Sequence, residues 1–252
     1  QVSACGKTVR AYNLGYPTIS LTKDLMILDQ AKQYQPDMII WLTTLEAFPK
    51  DKQFASPLVA NNAERVQQLI AKYNLNANPN DSALIKLSKL DQTFVSQKRA
   101  LADLIRLQIE GVLWASTGID QIYPRDYEHA QTDLEASQDF HGIKNLKDAL
   151  AIDVLDAGMH AVPVSTLLIN EPMLISSGRN SDVRYNFFYP RWAYDAYRQQ
   201  LTELATAQHW HYLDLWNLEP ASQFTNSAIH LTPAGEKLLA KQIAEKIQMT
   251  CK

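Results

Sequence analysis

The residues best suited to chemistry lie near the carboxyl end, in Phe224-Thr-Asn-Ser-Ala-Ile-His230-Leu-Thr-Pro-Ala-Gly235. An imidazole takes and returns protons near neutral pH when a loop presents it to solvent. Thr232-Pro233 supplies a hydroxyl N-cap and a proline for the first helical position, so a helix starts there. The preceding run His211-Tyr-Leu-Asp-Leu215 reads as a strand. His230 therefore falls between a strand and a helix, at the carboxyl edge where open α/β sheets bind ligands. A loop histidine without chemistry is the plain alternative.

Other candidates sit at the same kind of junction. Asn13-Leu-Gly15-Tyr-Pro17 follows a short predicted strand. Thr43-Thr44-Leu-Glu46 and Asn170-Glu171-Pro172 follow two further runs. Asn170 and Glu171 are candidates for substrate contact, and Asn170 as a strand-end cap before Pro172 is the alternative. His209 and His211 share a strand face, but no third ligand accompanies them. The stretch Tyr185 to Tyr197, rich in Tyr, Phe and Trp, reads as a pocket wall or as core.

The elements that must position these residues alternate. Thr8 to Asn13 is predicted as a strand, Leu21 to Tyr34 as a helix stopped by Pro36, and Met38 to Leu42 as a strand buried on both faces. Helices are predicted over Ala63–Tyr73, Thr93–Trp114, Asn145–Gly158, Trp192–Ala207 and Pro233–Ile247, with strands at Ala161–Ile169 and His211–Leu215. Strand and helix in alternation imply an α/β fold with a parallel sheet. Residues 49–140 read as a helical insertion or cap within one domain spanning 1–252.

Composition narrows the function classes. The chain has 252 residues, is 46% hydrophobic and carries a net charge of −3 with both signs mixed, which speaks against nucleic acid as a partner. No run of eighteen apolar residues offers a membrane span. Cys5 and Cys251 lie near opposite ends, placed as a terminal disulfide would place them, and two unrelated thiols are equally compatible. No Cys/His cluster suggests a structural metal. The terminal cysteines lean toward an extracytoplasmic or secreted protein, with the cytoplasm as the alternative.

Taken in order, the blocks at Gly15, Thr43 to Glu46 and His230-Leu-Thr-Pro-Ala-Gly235 resemble those of the SGNH (GDSL-type) hydrolases, a flavodoxin-like family of esterases, lipases and carbohydrate acyl-esterases or acyltransferases. The resemblance covers roughly residues 8–46 and 160–249. It implies a flavodoxin-like three-layer parallel sheet, and it does not extend to the helical insertion. It also implies His230 as general base, Gly15 as an oxyanion-hole N–H, and Thr44 as a hydroxyl donor where the family has asparagine. Where the family has aspartate three residues before the histidine this chain has Ser227, so Asn226 and Ser227 are the candidates to orient the imidazole. No Gly-Asp-Ser segment precedes Gly15, so the first strand and its serine are expected to be missing, supplied from upstream or by a partner chain.

The expected function is hydrolysis of a small-molecule ester or an acylated carbohydrate, with no organic cofactor and no metal. Acyl transfer to an extracellular polysaccharide, or a non-catalytic binding module, are the alternatives.

Overall fold

The computed structural model describes residues 3–4, 6–85, 98–117, 140, 143, 145–225 and 227–250. In chain order, a hairpin of β1 (Ser3–Ala4) and β2 (Lys7–Thr8) leads to α1 (Leu21–Ala31), β3 (Met38–Thr43), α2 (Pro57–Ala60) and α3 (Ala63–Tyr73). Then come α4 (Lys98–Thr117), α5 (Leu146–Ala149), α6 (Ile152–Met159), β4 (Ser165–Asn170), α7 (Arg191–Ala207), β5 (His211–Asp214) and α8 (Pro233–Thr250). The three apolar runs of the sequence pair as a parallel sheet in the order β3-β4-β5. The register sets Thr43 beside Asn170 and Asn170 beside Asp214, so three polar residues end the three strands side by side.

The two faces of this sheet are covered differently. On one face Ile39, Trp41 and Leu168 join a core with Leu21 and Leu25 of α1 and Val154 and Leu155 of α6. On the other, Leu167, Ile169 and Leu215 pack against Leu239, Ile243 and Ile247 of α8. The central strand β4 is buried from Thr166 onward, as a strand covered on both faces should be. For β3 that expectation is corrected, because its burial alternates. Ile39, Trp41 and Thr43 are buried, whereas Ile40 is 43% and Leu42 is 38% exposed. The reason is position: β3 lies at one edge, and the apolar stripe of α8 packs on β4 and on Leu215 at the end of β5 instead.

A second correction concerns Thr8 to Asn13, which is not a strand of the sheet. Only Lys7–Thr8 pairs, antiparallel to Ser3–Ala4, and residues 9–16 are exposed in no regular element. An extended segment is stabilised by a partner's donors and acceptors, and residues 9–16 pair with no described strand. The parallel sheet therefore has three strands where the sequence predicts four.

The helices follow local rules closely. Ser20 caps α1: its Oγ accepts from Lys23 N at 3.4 Å and donates to Gln53 O at 2.8 Å. α6 approaches the sheet at Gly158, where a Cβ would stand 2.4 Å from the Trp41 indole. α3 is tied to α1 by the buried Asp29 carboxylate, which accepts from Lys32 Nζ at 3.0 Å, Tyr73 OH at 2.9 Å, Lys72 and Arg65. Burial alone would raise this carboxyl, but the hydrogen bonds from Lys72, Lys32 and Tyr73 outweigh it and bring it down to about 2.

Within residues 49–140, Val59, Val66, Leu69 and Ile70 share the core of α1, so α2 and α3 belong to the helical layer on the sheet. Residues 86–97 and 118–139 of that segment lie outside the described residues, as do Cys5 and Cys251. Among the described residues, no helix is long and apolar enough to cross a membrane.

Candidate functional site at the carboxyl edge of the sheet

The strand ends gather a dense polar network. Asn170 is fully buried; its Nδ2 donates to Asp214 Oδ1 at 2.8 Å, and its Oδ1 accepts from Tyr194 OH at 3.3 Å and Tyr197 OH at 3.2 Å. Asp214 Oδ2 accepts a fork from Arg198, Nη2 at 2.7 Å and Nε at 3.0 Å, and that guanidinium lies 4.1 Å over the Trp216 ring. Thr44 is also fully buried, and its hydroxyl donates to Tyr189 OH at 3.2 Å. Burial pushes the Tyr189, Tyr194 and Tyr197 hydroxyls up, so these phenols stay neutral donors and acceptors. Tyr185, Tyr189, Tyr194 and Tyr197 of the aromatic stretch are therefore core, with Tyr194 packed against Tyr185, Tyr189, Tyr197 and Trp216, whereas Trp192 is exposed.

A second cluster lies where α1 begins. Lys23 is buried, pairs with Asp24 Oδ1 at 3.1 Å and donates to Tyr16 O at 2.7 Å. Asp24 Oδ2 accepts from Trp41 Nε1 at 3.1 Å. The exposed segment that carries Gly15 is thereby moored, one residue later, to β3. Glu171 stands just beyond β4, its N–H donating to Thr43 O at 3.0 Å. No described hydrogen bond reaches its carboxylate. Desolvation first, and then the negative charge of Asp24, push that carboxyl up to about 7. Burial raises Asp24 as well, against the opposing pull of Lys23 and Trp41. Two carboxyls that burial and repulsion push upward thus face each other beside the start of α1, and that of Glu171 holds its proton to near neutral pH.

His230 stands apart from both clusters. Its side chain is exposed immediately before α8, on a short loop closed by the Phe224–Leu231 bridge. Its carbonyl accepts from Thr225 N at 2.8 Å and Thr225 Oγ1 at 3.2 Å, which fixes the backbone while leaving the ring to solvent. Thr232 caps α8 through Gly235 N at 3.3 Å, as the Thr-Pro pair predicts. The remaining candidates are differently disposed. Ser227 Oγ accepts from Ile229 N at 3.3 Å and so closes its own turn, while Asn226 lies outside the described residues. Gly15 is exposed, and its N–H is held by Asn13 Oδ1 at 2.8 Å. No described hydrogen bond joins Gly15, Thr44 or Asn170 to His230.

Lys23, Asp24 and Trp41 are the site residues that pattern reading passed over. The spacing could have found one of them: Asp24 falls at helical interval among Leu21, Leu25 and Leu28, which puts a carboxylate on the buried stripe of α1. Among the described residues, no three His, Cys, Asp or Glu side chains gather as a metal site requires. No family model, curated protein or solved structure matches the chain.

Proposed function

We propose that the chain acts as an SGNH-type ester hydrolase, with His230 as its general base. The observation that carries this reading is the placement of an exposed imidazole on the loop between β5 and a hydroxyl-capped α8. In such an enzyme His230 takes the proton of a serine as its oxygen attacks the ester carbonyl, then returns it to the departing alcohol. The serine would ride on a further strand along the outer edge of β3, where no described strand pairs and Ile40 and Leu42 stand half-open. Gly15 would offer its N–H to the oxyanion once Asn13 lets it go. Thr44 would act from behind, holding Tyr189, since its hydroxyl does not reach the surface.

Hydrolysis of p-nitrophenyl acetate and of an O-acetylated oligosaccharide by the natural protein tests this. His230→Ala is expected to lower kcat roughly 100-fold or more, the usual weight of a general base. Equal rates for both proteins would remove His230 from the mechanism. A free sugar acceptor in the same reactions separates hydrolysis from acyl transfer to a polysaccharide.

A second reading, a non-catalytic module, is favoured by Ser227, Thr44 and Asn170, whose polar groups are committed to the fold. It predicts rates equal to buffer for both proteins.

A further inference from the structure

Two features of this chain each lack a partner, and they match. Residues 9–16 form an exposed arm ahead of α1, and among the described residues none of 9–14 makes a backbone hydrogen bond. The outer side of β3 is likewise unanswered by any described strand, since β3 pairs with β4 alone. An extended segment with open N–H and C=O groups, and a row of the same groups along a sheet edge, are the two halves of a strand addition. The arm is also held at both ends. β1 lies against α8, and Tyr16 O accepts from Lys23 Nζ at 2.7 Å. Its middle is thereby presented to solvent at a fixed place.

Side chains and charge select the register in which arm and edge fit. Tyr12 is 79% and Leu14 50% exposed, two residues apart and so on one face of an extended segment. Ile40 and Leu42, also two apart, stand open on one face of β3. With Tyr12 beside Ile40 and Leu14 beside Leu42 the four form one apolar strip, an aromatic ring across from a β-branched side chain. Run parallel to β3, as β4 is, this register carries exposed Arg10 alongside Met38, next to exposed Asp37. Both halves belong to one chain, so a second copy supplies what each lacks. Two copies about a twofold axis answer both arms and both edges, which closes the assembly at a dimer.

We propose that the protein associates as a closed dimer, the arm of each copy adding as a parallel strand to the β3 edge of the other, with Tyr12 on Ile40, Leu14 on Leu42 and Arg10 facing Asp37. A nucleophile-bearing strand along the same edge excludes this contact, so the dimer and the hydrolytic arrangement compete for one surface.

Sedimentation equilibrium of the natural protein from about 1 to about 500 µM tests the assignment. A monomer–dimer equilibrium with a Kd of about 100 µM or tighter is expected. Tyr12→Ser with Leu14→Ser is expected to weaken the dimer about tenfold or more at unchanged Tm, because both side chains are exposed in the single chain. Arg10→Asp is expected to weaken it about fivefold, and Asp37→Arg added to Arg10→Asp to restore it. Tyr34→Ala, at an exposed aromatic elsewhere, is expected to associate as the natural protein does, and so is His230→Ala, which separates this contact from the hydrolytic reading. A protein that stays monomeric across the range, as it would with a segment of its own chain lying on β3, would overturn the proposal. So would a dimer that Ile40→Lys with Leu42→Glu disrupts but the arm substitutions leave intact, the outcome of pairing edge to edge.

Discussion

Glu171 concentrates the unusual electrostatics of the strand ends in one side chain. Its carboxyl is held at about 7 against an ordinary 4.5, chiefly by lost hydration and then by the neighbouring Asp24. The sign of the linkage follows. Below pH 4.5 folded and unfolded chains both keep this proton, and the group does not affect stability. Between 4.5 and about 7 the unfolded chain ionises while the folded one resists, so stability falls as pH rises, by at most about 3 kcal/mol, and levels off above that range. Glu171→Gln removes the ionisation and is expected to flatten the stability curve across this window, leaving the variant about 1–3 kcal/mol more stable at pH 8. Urea midpoints measured at half-unit steps from pH 4 to 8 check this; a slope shared by both proteins would assign the effect to other groups. The residue itself was visible in the sequence as part of Asn170-Glu171-Pro172, but its environment was not, because Asp24 is 147 positions earlier in the chain.

At the scale of elements, the contact between α6 and β3 decides how the inner cluster is built. Gly158 leaves room for the Trp41 indole to lie against the helix, and the same indole then reaches Asp24. A methyl at 2.4 Å from the ring cannot be accommodated without moving helix or strand, so Gly158→Ala is expected to destabilise by about 2 kcal/mol or more. Gly111, in α4, meets nothing within 4 Å, and Gly111→Ala is expected to be neutral or to stabilise by up to about 1 kcal/mol. Thermal melts of the pair check the contrast, and equal shifts would refute the packing argument. Most of these elements were legible beforehand. Ala63–Tyr73 forms the helix its spacing predicts, and the runs from Met38, Ala161 and His211 all contain strands. The helix predicted over Asn145–Gly158 instead breaks into α5 and α6, with Leu150 in extended backbone and bridged to Pro49. That break answers to a partner distant in the chain, which no local pattern encodes.

For the molecule as a whole, the sheet is covered on one face by α1 and α6, covered in part on the other by α8, and open along β3. Ile40 and Leu42 therefore couple apolar exposure to an edge whose outer N–H and C=O groups face no described strand. Such an edge promotes pairing between chains. Ile40→Lys with Leu42→Glu is expected to suppress concentration-dependent association of this 252-residue chain without loss of helix content. Size-exclusion profiles from micromolar to near-millimolar chain check it, and association unchanged in the variant would place the contact elsewhere. Three of the four predicted strands were readable as apolar runs, whereas the unpaired state of residues 9–16 was not, since a strand depends on its neighbour as much as on its own residues. The mooring of Tyr16 by Lys23 gives the exposed arm a part in the interior. A protease that nicked the arm and let Tyr16 drift away would strip a buried ammonium of its carbonyl. Lys23 would then have Asp24 alone to answer its charge, and the disturbance would pass through that carboxylate to the indole of Trp41. Surface damage at one end would thus be felt in the middle of the sheet.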